Sequence, residues 1–306
     1  VAPIVLSENF RAVFYAPFYA AVAIGAYAAE GVTVELRASP SPEATAQALR
    51  SGAADVMWGG PLRVLLSREA TPDLPDDERI TCFCGAVGRD PFFIIGRTPR
   101  PGFKVTHLAG VRLATVSEVP TPWLCLQQDL RDANIDPQSV VRMTGGTMAE
   151  NADALRRDEI DAVQLFQPYA EALLREGAGH LWYAAATRGP TAYTALIAQR
   201  GKLRTRRPEL SAMVRGMART LDWIAASEGP RVAAALAPWF PDTPPALLAA
   251  CIDRYRALGL WDRSPVMEPA GFERLRASMR SGGALAHGAA FEDCVDTALA
   301  REALAA

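Results

Sequence analysis

The stretch ALRSGAADVMWGGP (Ala48–Pro61) returns, altered, as ALRRDEIDAVQLFQP (Ala154–Pro168). Each copy begins Ala-Leu-Arg and places an aspartate six residues after the leucine, Leu49 to Asp55 and Leu155 to Asp161. Each then runs through a short apolar segment to a proline. Read locally, each copy is the end of a helix, a turn, a buried strand and the start of the next helix. Helix, strand and helix in that order are the working unit of a parallel sheet.

The flanking sequence extends both copies in the same way. Before the first lie PIVLS, a strand; PFYAAVAIGAYAAEG, a helix with Pro17 in its first turn and Gly31 closing it; and VTVEL, a strand. SPEATAQALRSG follows as a helix, with Ser41 as N-cap, Pro42 at its first position and Gly52 as the stop. Before the second copy lie the strand GVRLATVS, the helix PWLCLQQDLRDAN with Pro122 at its start, the strand SVVRM and the helix MAENADALRRD. QPYAEALLREG then opens a helix with Pro168. A shared order of elements on both sides predicts two similar Rossmann-like α/β lobes rather than one continuous sheet. ITCFCGAVGRDPFFIIGR and LWYAAATRGPTAYTALIAQRG each hold two β-like runs, broken at Gly88–Pro91 and at Gly189–Pro190. These are the expected crossover strands between lobes. They set one lobe at residues 1–88 plus 194–306 and the other at 89–193, with a ligand cleft between them. From about Leu203 the pattern is helical and is expected to pack on the first lobe as a C-terminal tail.

The totals agree with a globular α/β protein. The chain has 306 residues, half of them hydrophobic, enough for about two domains. A net charge of −2 with scattered arginines argues against nucleic-acid binding. No apolar run reaches the about eighteen residues that a membrane span needs. The chain opens VAPIVLSENF, without a basic n-region or cleavage site. The five cysteines are odd in number and lack CxxC spacing, so no disulfide framework is expected. Cys82 and Cys84 share a strand face as small core residues, and a metal pair there is the weaker alternative. His107, His180 and His287 lie far apart and read as surface or capping residues.

In open α/β sheets ligands lie beyond the carboxyl ends of the strands, where the next helices begin. Helices started by Pro17, Pro61, Pro122 and Pro168 each offer free N–H groups and partial positive charge there, suited to an anion or a hydrogen-bond acceptor. The residues before them are the candidate ligand-binding set. In the first loop these are Asn9, Phe10, Arg11, Phe14 and Tyr15; in the second, Trp58, Gly59 and Gly60. From the other lobe come Ser117, Glu118, Thr121 and Trp123, then Phe166 and Gln167; Arg89 and Tyr193 sit at the crossovers. Aromatic rings and amides with a few charges suit a small ring or chain held flat. Each also has a packing or capping explanation, Arg89 through Asp90 for example. Trp58, beside two glycines, and Glu118, at a strand end, are the hardest to explain that way. No GxSxG, HExxH or phosphate-loop motif is present, and the only lysines, Lys104 and Lys202, fall outside the cleft loops. No cofactor, metal site or catalytic residue is expected.

FYAAVAIGAYAAEGVTVEL, ALRSGAADVMWGG, LAGVRLATVSEVPTPWLCLQQDLRDANIDPQSV and DAVQLFQPYAEAL together resemble the type II periplasmic substrate-binding proteins of the nitrate, sulfonate and taurine uptake group, which includes binders of thiamine pyrimidine precursors. The resemblance covers about two-thirds of the chain. It implies a monomeric solute-binding component of an ABC importer that closes over its ligand by hinge motion and delivers it to a membrane permease. The ligand class is a pyrimidine-like or aromatic molecule first, a sulfonate or carboxylate second. It also implies a periplasmic or extracytoplasmic location, given a removed leader; a cytoplasmic one stays open. The alternative is an enzyme on the same fold: a pyrimidine-precursor synthase, a desulfinase or a decarboxylase. The synthase uses a first-loop histidine where this chain has Tyr15, and the desulfinase a first-loop cysteine that is missing here.

Overall fold

The two copied segments occupy equivalent places in two separate sheets. The computed structural model describes residues 2–306. In the first sheet run β1 (Ile4–Ser7), β2 (Val34–Arg37), β3 (Val56–Gly59) and β4 (Ile80–Val87), with α1 (Ala16–Ala23), α2 (Ala26–Ala29), α3 (Pro42–Arg50) and α4 (Pro61–Ala70) between them. The second sheet holds β5 (Phe93–Gly96), β6 (Arg112–Ala114), β7 (Val141–Met143), β8 (Ala162–Leu165) and β9 (His180–Ala184), with α5 (Thr121–Asp132), α6 (Met148–Arg156) and α7 (Tyr169–Arg175). The chain then returns to the first sheet as β10 (Thr194–Gln199). It finishes in α8 (Arg200–Thr205), α9 (Arg207–Ala226), α10 (Gly229–Leu236), α11 (Pro245–Ala257), α12 (Pro269–Ser281), α13 (Phe291–Cys294) and α14 (Thr297–Ala305).

The strand orders are β2-β1-β3-β10-β4 and β7-β6-β8-β5-β9. In each sheet three strands are parallel, and the fourth position is taken by an antiparallel strand: β10 beside β3, and β5 beside β8. Each antiparallel strand is the one the chain enters on arriving from the other sheet, so the two sheets have one topology.

The copied aspartates show why the repeat is physical. Asp55 Oδ2 accepts from the Val5 amide of β1 at 3.0 Å, and its own N–H donates to Val5 O at 2.9 Å. Asp161 does the same to Arg112 of β6, at 3.0 Å and 3.1 Å. Each aspartate fastens the entrance of its sheet's third strand to the first. Burial raises the Asp55 carboxyl, but Lys202, the Val5 amide and Arg206 outweigh it and hold the group below the usual carboxylate range. A lowered folded-state pKa contributes stability above the unfolded carboxylate range, and that stability is lost as pH falls. Asp55→Asn should therefore lower the melting temperature at neutral pH, with the gap to wild type closing in acid; thermal scans from pH 7 to pH 3 check this.

Two compact units result. One is Val1–Arg89 with Pro190–Arg276 and Leu285–Ala306; the other is Asp90–Gly189 with Ala277–Ala284. The sequence reading assigned everything after residue 194 to the first, but the end of α12 belongs to the second. There Ser281 Oγ donates to Gln128 of α5, and the missing side chain of Gly282 leaves room for Leu124, whose Cδ2 lies 2.4 Å from where a Cβ would sit. The rest of the tail packs on the first unit. Glu30 after α2 binds Arg215 and Arg219 of α9, and Gly216 lets α9 approach Tyr27. One other expectation changes: the single helix read over 17–31 is two, because Gly25 adopts φ 68° and breaks the ladder.

Candidate functional site

In the first unit the ends of β1 and β3 carry an aromatic cluster edged with polar groups. Phe14, Tyr15, Trp58 and Tyr193 come together there. Tyr15 lies 4.2 Å from Phe14 and 5.8 Å from Trp58 between ring centres, and Phe14 meets Tyr193 edge-on at 5.8 Å. Phe10 covers Tyr15 at 5.2 Å. Trp58 is not a wall of this cluster. It is 0% exposed, stacked on Phe18 at 5.1 Å and touched edge-on by Tyr19. Strand β3 is buried on both faces, so its last large side chain enters the core. The Trp58 Nε1 has no hydrogen-bond partner.

Gly59 and Gly60 lead directly into α4, whose N-cap Gly60 offers no side-chain cap, with Pro61 following. A Cβ on Gly60 would stand 3.2 Å from the Tyr193 carbonyl, so the backbones just after β3 and just before β10 approach closely here.

The charges are distributed differently from the sequence reading. Arg11, proposed to meet a ligand, is held by the buried Glu8, which accepts from Arg11 Nε and Nη2 at 3.1 Å and from the Tyr19 hydroxyl at 3.1 Å. The hydrogen bond to Glu8 raises the Arg11 guanidinium above its ordinary value. Arg89 lies near enough to Asp262 to pull that carboxyl down, and Asp90 is paired with Arg188. The residue that sequence reasoning missed is Arg63, in the first turn of α4. Its guanidinium donates to Pro42 O at 3.2 Å and reaches Asn9 Oδ1 at 3.5 Å, with no carboxylate in ion-pair contact. Burial lowers its pKa. Asn9 in turn donates to the Tyr15 hydroxyl at 3.1 Å, and burial raises that phenol well above its usual range. Asn9, Tyr15, Arg63 and the uncapped start of α4 thus form one polar edge against the rings. Arg63 lies two residues past a helix-starting proline, but no spacing signal shows that its charge is unpaired.

In the second unit the candidates separate. Ser117 and Glu118 are exposed; Glu118 Oε1 accepts from the Met148 amide at 2.9 Å, so it caps the start of α6. Thr147 and Glu150 complete a capping box at the same terminus. That helix end is therefore already occupied by carboxylates. Thr121 opens α5 half-buried. Trp123 is 8% exposed in a core with Leu126 and Leu130, beneath the Arg142 guanidinium at 4.6 Å. Phe166 packs edge-on against Phe92 at 5.2 Å, and Gln167 Oε1 accepts from the Glu171 amide at 2.8 Å. Pro168 precedes α7 as its N-cap, after a cis Gln167–Pro168 peptide, and is not its first helical residue.

All five cysteines are buried and none is in a disulfide. Burial raises the thiols of Cys82 and Cys84 and pushes Cys125 up to about 12, away from the thiolate a nucleophile needs. Among the described residues no helix is long and apolar enough to cross a membrane.

Residues 102–237 match the model of the NMT1-like family. The "Putative binding protein YtlA" of Bacillus subtilis (strain 168) is 22% identical over 283 residues, 92% of this chain and 83% of that protein. Among solved structures, the periplasmic aliphatic sulphonate binding protein SsuA from Escherichia coli superposes with a TM-score of 0.74 at 16% identity, over 96% of this chain and 92% of that one. The desulfurization enzyme DszB superposes at 0.69 with 14% identity, over 99% of both chains. The fold is that of the periplasmic binding proteins, and it is shared by that enzyme.

Proposed function

We propose that this chain, built on the periplasmic-binding-protein fold, is the solute-binding component of an ABC importer. Its ligand is a small anion or zwitterion with an aromatic or apolar body. The observation that carries this reading is Arg63: a half-buried guanidinium with no carboxylate partner, beside Asn9 and the uncapped start of α4, on the edge of an aromatic cluster. A desolvated cation without a counter-charge is costly and favours a ligand that brings one. The half-buried ring of Phe10, backed by the buried Phe14 and Tyr15, suits the ligand's flat or apolar part. The chain passes between its units at 89–90, 189–190, 276–277 and 284–285; on this reading the protein closes over its ligand by hinge motion. An ABC permease is the proposed partner, and an extracytoplasmic compartment the proposed location. The similarity to YtlA, a putative binding protein, and to the periplasmic SsuA supports the solute-binding role and that location. The buried thiols weigh against a cysteine-dependent reaction of the desulfinase kind.

A thermal-shift screen of pyrimidines, aromatic acids, sulfonates and nitrate tests the reading. A ligand at a hundred times its Kd should stabilise the fold by about 2.7 kcal/mol. Arg63→Gln should weaken the hit about 10- to 100-fold, the worth of a charge-assisted hydrogen bond. A hit that binds Arg63→Gln as tightly as wild type removes Arg63 from the site.

A further inference from the structure

A cavity lies wholly within the first unit, beside the ends of the crossover segments. Its volume is about 260 Å³, and it is bounded by the end of β4, the approach to β10, the loop after α11 and the first turn of α12. The loop is fixed along β4 as an added edge: Gly85 N donates to Pro265 O at 2.8 Å, and Asp262 N to Ala86 O at 3.1 Å. Two glycines make the approach possible. A Cβ on Gly85 would fall 2.8 Å from Met267 Cγ, and one on Gly88 would fall 1.8 Å from Asp262 Oδ1. The cavity is therefore a built feature of the strand edge, and a larger residue at Gly85 or Gly88 would run into the loop.

Two polar groups in it lack partners. The Asp262 carboxylate accepts no hydrogen bond and has no cation in ion-pair contact among the described residues; burial pushes its carboxyl up to about 6, against the pull of Arg89. Thr194 is 2% exposed, and its Oγ1 has no hydrogen-bond partner. Buried polar groups are ordinarily satisfied, so the Thr194 hydroxyl calls for a partner from outside the chain, and the half-buried Asp262 carboxylate borders the same space. Both can accept. Asp262 also favours positive charge, and Glu268 at the rim adds to it, while Val87, Val266 and Met267 supply apolar wall. Arg263 on the same rim is exposed and directs nothing inward by itself. An ammonium group carries three donors and a positive charge, which matches one carboxylate and one hydroxyl.

We infer that this cavity binds a small primary ammonium compound with a short apolar chain, held by Asp262 and Thr194. The site would lie on the same unit as the Arg63 edge but take the opposite charge.

Calorimetric titration of the full chain with n-butylammonium chloride tests it, with sodium butanoate as the isosteric anion. The expected result is one saturable amine site and no butanoate heat at this site. Asp262→Asn should weaken the amine at least tenfold and Thr194→Val severalfold, while Arg63→Gln leaves it unchanged. If Asp262→Asn does not fold, Thr194→Val carries the comparison. No saturable amine binding, equal binding of butanoate that persists in Arg63→Gln, or unchanged amine affinity in both cavity variants overturns the inference. Because the amine is read independently of the anion screen, either proposal can fail without the other.

Discussion

Arg188→Met should unfold the second unit well before the first, at a cost of about 3–5 kcal/mol, the usual result of stranding buried charges. Arg188 is 5% exposed and meets two acids, Asp90 at 0% and Asp129 at 11%. Its Nε donates to Asp129 Oδ1 at 2.9 Å, while an Nη donates to Asp90. Tyr183 donates to Asp129 at 3.1 Å, and the Phe92 amide donates to Asp90 at 3.0 Å. Burial raises the Asp90 carboxyl, and its acid partners hold the Arg188 guanidinium well above its ordinary value. Asp90 is the first residue of this unit and Arg188 the last but one of its main segment, so the network staples its entry and exit together. Removing the cation leaves two carboxylates in a dry interior. Replacing all three, Arg188→Met with Asp90→Asn and Asp129→Asn, should recover most of the loss, because an uncharged core of similar volume avoids the desolvation cost. Urea unfolding followed by tryptophan fluorescence and by far-UV circular dichroism measures both. A single variant as stable as wild type would contradict the account.

Trp58→Ala should destabilise the first unit by about 3–5 kcal/mol, the range for deleting a large buried aromatic. The indole is among the largest fully buried side chains in the protein. It fills the space between Phe18, Tyr19 and Tyr15, so its loss leaves a cavity that three rings on one helical segment can only partly close. Trp58→Phe should recover most of the stability. Thermal unfolding of the two variants, set beside their affinity for the screened ligand, separates packing from contact. Full stability in Trp58→Ala with affinity lost would return Trp58 to the wall of the site.

Trp58 also marks where sequence reading stops. Its place at the end of a strand, before two glycines, was legible, and so was the helix that Pro61 starts. Whether the ring faced solvent depended on Phe18 and Tyr19, some forty residues earlier in the chain. The duplicated aspartates were legible because one short pattern performs one task twice, closing the same backbone pair in each sheet. Charge partners were not. Glu8 and Arg11 are three apart and could have been paired from the sequence. Asp90 finds Arg188 across 98 residues, and nothing local announces it. Once Arg11 is matched to Glu8, Arg63 is the cation of the first-unit loops that lies beside Asn9 with no carboxylate in ion-pair contact, a distinction that needs coordinates.

On the proposed function, the chain holds its ligand without changing it. The most direct test loads the purified protein with the ligand found in the screen, incubates it, denatures it, and identifies the released molecule by mass spectrometry. The account predicts one equivalent per chain, recovered intact after hours at neutral pH, and far less from Arg63→Gln. Recovery of a converted product, accumulating over many equivalents per chain, would contradict it and make this fold an enzyme here.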